Sequence, residues 1–230
     1  LVQTALNLFQ EKILRLFRLT GRAVLGVFES FGRLVLFAGQ AAAAVLTPPY
    51  FPKLLVRQII DIGYYSLAVV GLTALFSGMV LALQSYTGFA RFNAEGAVAA
   101  VVVLSITREL APVLAGLMVA GRIGASIAAE IGTMRVTEQI DALTTLSVKP
   151  MHYLVAPRLL AATMMMPILV LIADVIGVFG GYLVGIHVLE FSPSSYLYQT
   201  WDTVEAIDVI SGLVKAAVFG FIVALMGCYN

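Results

Sequence analysis

The sequence is poor in charged residues and almost free of cysteine. Only 12% of its 230 residues are Asp, Glu, Lys or Arg, about half the share usual in soluble domains. The single cysteine, Cys228, excludes an internal disulfide, and one thiol with two histidines does not supply the ligands of a metal site. The net charge of +1 gives no electrostatic footprint for nucleic acid. We therefore expect no disulfide scaffold, no metal site and no nucleic-acid partner.

Motifs that carry chemistry are also missing. The sequence has no G-x-x-x-x-G-K-[ST], so it cannot hold nucleotide phosphates by the P-loop route. It has no H-E-x-x-H, no G-x-S-x-G and no CxxC. We expect no catalytic residue and no cofactor in this chain, and any nucleotide chemistry should belong to another protein.

Long apolar runs are what the sequence has instead, since 60% of its residues are hydrophobic. A spanning helix needs about 20 such residues. The predicted fold class is therefore all-α, a polytopic helical membrane protein formed by one transmembrane domain over residues 1–230. Four runs are predicted to span the membrane: residues 62–83, 96–121, 159–189 and 209–229.

The first 52 residues differ from those runs. Apolar residues at helical spacing in 1–22 alternate with basic ones, which favours an interfacial helix over a soluble helix docked on a partner. Residues 23–46 are interrupted by Glu29 and Arg33, and the clean run 34–46 is too short to span. We predict that 23–46 is interfacial or re-entrant. Residues 1–52 then form interfacial or elbow helices ahead of a spanning bundle over 53–230.

Flanking charges predict the orientation. The connection 122–158 is basic and should be cytoplasmic, whereas the loop 190–208 carries acids only and fits the opposite side. The N-terminus is then cytoplasmic. Aromatic residues in the predicted loop 84–95 suit either an interfacial belt or the wall of a lipid path.

Ionisable residues inside the predicted spans need partners, because burying them unpaired is costly. Arg108 and Glu109 are adjacent, and neighbours at i and i+1 do not face each other on a helix. Each should reach another helix, a second subunit or a water-filled cavity, in a packing or a functional role. Asp174 and Lys215 have opposite charges and are predicted to pair. Pro112 should kink its helix.

The second span and its cytoplasmic extension carry a long specific motif. Residues 109–143 read E-L-A-P-V-L-A-G-L-M-V-A-G-R-I-G-A-S-I-A-A-E-I-G-T-M-R-V-T-E-Q-I-D-A-L. This run resembles the MlaE/YrbE permeases of MCE-associated ABC transporters, as do L-L-V-R-Q-I at 54–59 and G-M-V-L-A-L-Q at 78–84. The resemblance extends from about Gly21 to the end. The family has one further spanning helix, so we expect at least four spans here and a fifth after residue 230.

The resemblance implies a role and a set of partners. The chain would be a homodimeric permease of the bacterial inner membrane that moves phospholipid between inner and outer membranes. It would not be an enzyme, since ATP would be hydrolysed by a separate cytoplasmic ABC ATPase. A ring of MCE-domain protein would contact its periplasmic face.

The resemblance also assigns residues. The lipid cavity would lie at the dimer interface, lined by Leu81, Phe89, Phe92, Glu109 and Leu110. The connection 122–158 would carry the coupling helix, at about 130–143, with Glu130, Arg135, Glu138 and Asp141 facing the ATPase.

Two other functions deserve comparison. A membrane enzyme acting on lipids could use Glu109 or Asp174 as acid or base, but the sequence lacks a nucleophile–base pair or metal set to support it. A secondary transporter or channel subunit could line its path with Arg108, Glu109 and Asp174. Co-purification of an ATPase would distinguish the permease from both.

Overall fold

The fold is helical throughout the part of the chain that is described. The computed structural model describes residues 2–49 and 51–229, with side chains from residue 20 onward apart from Ala23. Within these residues there is no strand, which confirms the predicted all-α membrane fold. The helices are α1 Val2–Leu46, α2 Pro52–Ile59, α3 Tyr65–Phe89, α4 Val98–Ser105, α5 Ala111–Val119, α6 Ala125–Val136, α7 Gln139–Thr145, α8 Ala156–His187, α9 Pro193–Thr203 and α10 Ala206–Tyr229.

Four π-helical turns join several of these helices into longer rods. They lie at Ile60–Tyr64, Ile106–Leu110, Ala120–Gly124 and Met151–Val155. Five segments are long and apolar enough to cross a membrane: Thr20–Leu46, Pro52–Phe92, Glu95–Val136, Met151–His187 and Ala206–Tyr229. The last four confirm the four predicted spans, but three of these rods have 37 to 42 residues, well beyond the roughly 20 that hydrocarbon requires.

The extra length corrects two predicted boundaries. The predicted loop 84–95 is mostly helical, since α3 continues to Phe89 and a 3-10 turn covers Ala90–Phe92. The predicted connection 122–158 is also shorter, because one rod runs on to Val136 and the next begins at Met151, with only the short helix α7 between them. Arg122 stays in the helix because its Nη1 donates to Ser66 Oγ at 3.0 Å and its guanidinium lies 5.9 Å from the Tyr65 ring centre.

The N-terminal helix continues through the charged residues of its apolar run. α1 is unbroken over 45 residues, and the interfacial or re-entrant placement of 23–46 stays a prediction. Glu29 and Arg33 do not interrupt the helix because they form an i,i+4 pair at 3.7 Å. Thr20–Leu46 has the length of a span. The basic side chains predicted to meet lipid phosphates before residue 19 lie outside the described side chains.

Helix α8 lies at the centre of the bundle and packs against α3 and α10. Glycines allow these backbones to approach: a Cβ at Gly78 would collide with the Gly177 carbonyl, and one at Gly220 with the Ala162 carbonyl. The large side chains of the core lie around these crossings, Leu159, Met166, Leu169 and Val170 among them. The contact of Gly78 with Gly177 is the close approach that small residues permit between helices in membranes.

Candidate functional site

Four charged side chains meet between the π-helical turn at Ile106–Leu110 and helix α10. Arg108 Nε lies 2.9 Å from Asp208 Oδ1. Lys215 Nζ lies 2.6 Å from Glu109 Oε1. The prediction that Arg108 and Glu109 turn to other groups rather than to each other is confirmed, because both reach α10. The predicted pair of Asp174 with Lys215 is wrong.

Pro112 leaves a backbone carbonyl without its helical donor, and Lys215 supplies one. Proline has no N–H, so it deprives a carbonyl in the preceding turn of its helical donor. The carbonyl four residues earlier belongs to Arg108, and it accepts a hydrogen bond from Lys215 Nζ at 2.9 Å. The neighbouring carbonyl of Thr107 is approached by Gly212, where a Cβ would collide with the oxygen. The π-helical turn and Pro112 thus open the backbone toward α10.

The exposure of the two ion pairs differs. The Asp208 side chain is 5% exposed, whereas those of Glu109 and Lys215 are 68% and 41% exposed. The first pair therefore ties the helices together, while the second remains accessible on the surface of the chain. A charged pair open to the outside of a membrane bundle suits a water-filled or headgroup-lined space.

The predicted lipid-cavity residues do not form one cavity within a single chain. Leu110 lines a crevice of about 10 Å³, roughly the space of one water and far below that of a lipid tail. Leu81 and Phe89 pack against the core, and Phe92 is 79% exposed. Of the five, the structure places Glu109 and Leu110 on one turn and the other three at the end of α3 and the turn after it.

The predicted coupling residues surround α7. Arg135 lies on α6, Glu138 has a left-handed backbone with φ of 56° between α6 and α7, and Asp141 lies in the first turn of α7. All three are exposed. Glu130 differs, because its Oε2 pairs with Arg158 Nη2 at 2.8 Å and so points to α8. Exposed Val136 and Leu146, at 85% and 73%, add apolar surface beside α7.

Asp208 and Arg158 were not predicted as site residues, although each pairs with a residue that was singled out: Asp208 with Arg108, and Arg158 with Glu130. Asp208 was assigned to the acidic loop 190–208, although residues 208 and 215 are seven apart and so share one face of a helix. That spacing is a usable signal, because it puts an acid and a base on one face of α10, and Arg108 and Glu109 carry the complementary charges. Arg158 carries no comparable signal, since its partner Glu130 is 28 positions away in a different helix.

Asp174 pairs with none of these groups. It is 7% exposed, and neither carboxylate oxygen has a hydrogen-bond partner among the described residues. The predicted ion path through Arg108, Glu109 and Asp174 has no support in these contacts, because the first two are joined to α10 and the third is separate.

Comparison with known proteins covers most of the chain. The family model described as "Permease MlaE" matches residues 55–230. A Rickettsia bellii protein named "Probable ABC transporter permease protein" is 59% identical over 210 residues, which is 91% of this chain and 81% of that protein. A Haemophilus influenzae protein named "Intermembrane phospholipid transport system permease protein MlaE" is 36% identical over 213 residues, again 91% and 81%. The chloroplast protein TRIGALACTOSYLDIACYLGLYCEROL 1 of Arabidopsis thaliana is 32% identical over 84% of this chain and 55% of its own length.

Proposed function

The chain belongs to the MlaE permease family, and on that premise we propose that it moves phospholipid between the inner and outer membranes of a bacterium. The observation that supports this cargo most is the 36% identity, over 91% of the chain, to a relative named as an intermembrane phospholipid transport permease. In this proposal the chain is a multi-pass protein of the inner membrane with a cytoplasmic N-terminus. The basic residues near α7 support that orientation.

The energy source is proposed to be a separate ABC ATPase that docks on α7. The sequence has no P-loop of its own, and α7 presents exposed charges at Glu138 and Asp141 beside exposed Val136 and Leu146. A segment that mixes charge with apolar surface suits a soluble partner's groove. The rod of α4 to α6 then offers a mechanical link, since it is helical from the turn before α4 to Val136.

The lipid path is proposed to form between two copies of the chain. A single chain exposes apolar side chains on several helices, including Phe76 at 59%, Leu117 at 62% and Val214 at 58%. A second copy could enclose a space that neither copy holds alone, with Glu109 and Lys215 at its polar end and Leu81, Phe89, Phe92 and Leu110 along it. A ring of MCE-domain protein on the periplasmic side would receive the lipid.

Photo-crosslinking tests this proposed path. A photoreactive amino acid is placed at Leu110, Phe89 or Phe92 in the full complex, and at Phe179 as a control that is exposed on α8. We expect phospholipid to be captured at the first three positions above the level at Phe179. Equal capture at all four positions would show ordinary contact with bilayer lipid and contradict the proposed path.

A further inference from the structure

Two polar hollows adjoin at the end of the bundle nearest α7. One has a volume of about 340 Å³ and the other about 270 Å³. They share Gln58, Asp61 and Glu130 as lining residues. We call the two together the Arg57 cavity, which is further lined by Arg57, Arg122 and Arg158. Small-molecule sites typically have volumes of about 300–1,000 Å³. The larger hollow lies within this range and the smaller one just below it.

Arg158 is the most deeply buried charge that lines the Arg57 cavity. Its side chain is only 4% exposed, and Nη2 is paired with Glu130 at 2.8 Å. The other terminal nitrogen, Nη1, is buried without a hydrogen-bond partner among the described residues. A guanidinium carries five N–H donors. A buried donor that makes no hydrogen bond is unfavourable. An acceptor that reached Nη1 from the cavity would satisfy it.

Two further charges of the Arg57 cavity, Arg57 and Asp61, also lack partners within the described part of the chain, whereas Arg122 is bonded to Ser66 and Glu130 to Arg158. Among the described residues, neither Arg57 nor Asp61 forms a side-chain ion pair or hydrogen bond. Three arginines face two carboxylates, so the cavity is positive overall but holds both signs. Guanidinium groups bind phosphate in a planar, bidentate geometry. The free carboxylate of Asp61 suits a donor on the same ligand, such as an amine or a hydroxyl group.

The surface next to the Arg57 cavity favours a lipid as the source of that phosphate. The π-helical turn that carries Asp61 also exposes Ile60 at 46% and Tyr64 at 71%, and Tyr65 follows at 56%. Acyl chains could stay along this apolar flank while the headgroup enters the hollow. This end of the chain is also the basic one, where headgroups of the cytoplasmic leaflet would lie.

We propose that the Arg57 cavity binds the phosphate-bearing headgroup of a membrane phospholipid, with the phosphate at Arg57 and Arg158 and a headgroup donor at Asp61. This is a second lipid site, remote from the Glu109–Lys215 pair. It rests on the proposed lipid-transport function for the class of ligand. It would hold a lipid of the cytoplasmic leaflet next to the segment proposed to contact the ATPase.

The test uses the full complex in membranes of phosphatidylethanolamine and phosphatidylglycerol that contain radiolabelled phospholipid. A photoreactive amino acid at Met134, a lining residue, should capture phospholipid above the level at Val136, which does not line the cavity. Arg57→Gln should lower capture at Met134 about tenfold, as loss of one charge-assisted contact predicts. Lys53→Gln, an equal charge loss on the same helix and outside the cavity, should leave capture unchanged.

Three results would overturn this inference. Met134 could capture no more lipid than Val136, Arg57→Gln could match Lys53→Gln, or excess inorganic phosphate could abolish capture and so identify a soluble phosphate as the ligand. A second photoreactive position at Leu110 separates the two proposals. Failure at Met134 alone overturns only the Arg57 cavity assignment, whereas failure at Leu110 alone contradicts the proposed lipid path.

Discussion

At the residue scale, charges inside the bundle are placed according to the groups that can satisfy them. Lys215 serves two acceptors at once, the Glu109 carboxylate and the Arg108 carbonyl that Pro112 leaves without a donor. Arg108 in turn reaches the buried Asp208. The carboxylate of Asp174 has no such partner among the described residues. The opposite charges of Asp174 and Lys215 were therefore not enough to identify a pair. Which side chains meet depends on the face of each helix that they occupy.

The Glu130–Arg158 pair predicts a measurable coupling energy. Glu130→Ala leaves the Arg158 guanidinium buried without a counter-charge, and we expect a loss of about 1–3 kcal/mol, below the full cost of a buried pair because Glu130 is 56% exposed. Adding Arg158→Met should recover part of that loss in a double-mutant cycle. Thermal unfolding in detergent is the measurement, with Glu138→Ala as the unpaired control. A double variant whose losses simply add would contradict the pairing.

Tyr196 predicts a pH dependence at the alkaline end. It is 3% exposed, and burial raises its pKa from 10.0 to about 12. Because the folded state resists ionisation, the free energy of unfolding is unaffected below pH 10 and falls as the pH rises from 10 toward 12. Tyr196→Phe should remove that fall relative to the parent. It should cost little at neutral pH, since the hydroxyl has no partner among the described residues.

The exposed Tyr198 provides the control for this comparison, since it lies on the same helix at 71% exposure. Tyr198→Phe should leave the alkaline decline as it is in the parent. Parallel pH curves for the parent and Tyr196→Phe would show that Tyr196 ionises as easily in the folded as in the unfolded chain.

At the element scale, α8 is held by backbone contacts with α3 and α10. Gly78→Ala would force its new methyl group into the Gly177 carbonyl, and we expect a loss of about 1–3 kcal/mol, as for other overpacked sites. Gly88→Ala on the same helix meets open space and should change stability by no more than about 1 kcal/mol, in the stabilising direction. Unfolding in mixed micelles compares them, and equal effects would contradict the close crossing.

The sequence was sufficient to predict the four C-terminal spans, because a span depends on local composition. The ends of the helices were not predictable in the same way. Helix continues from Gly121 to Val136 because Arg122 meets Ser66 and Glu130 meets Arg158, partners that lie 56 and 28 positions away. Glu29 and Arg33, which interrupt the apolar run of 23–46, pair along the helix.

At the scale of the whole molecule, the predicted lipid-lining residues of a single chain do not enclose a cavity large enough for a lipid. They are spread from the end of α3 to the turn before α5, and the crevice beside Leu110 is too small for a lipid tail. A second copy resolves this in the proposed function, because apolar faces that are exposed on one chain can face each other across a shared space. In that proposal α7 receives the ATPase, and the Glu109–Lys215 pair lies at the polar end of the lipid path.

The proposed coupling gives the most direct test of this account. The complex is reconstituted with its ATPase and MCE-domain partners in vesicles, and transfer of fluorescent phospholipid to acceptor vesicles is measured with and without ATP. We expect ATP-dependent transfer by the parent, loss of transfer and of ATPase docking in Glu138→Lys/Asp141→Lys, and full transfer in the control Lys53→Glu, a charge reversal at an exposed residue of α2. Transfer that needs no ATP, or that survives the α7 double variant unchanged, would contradict a phospholipid permease driven through α7.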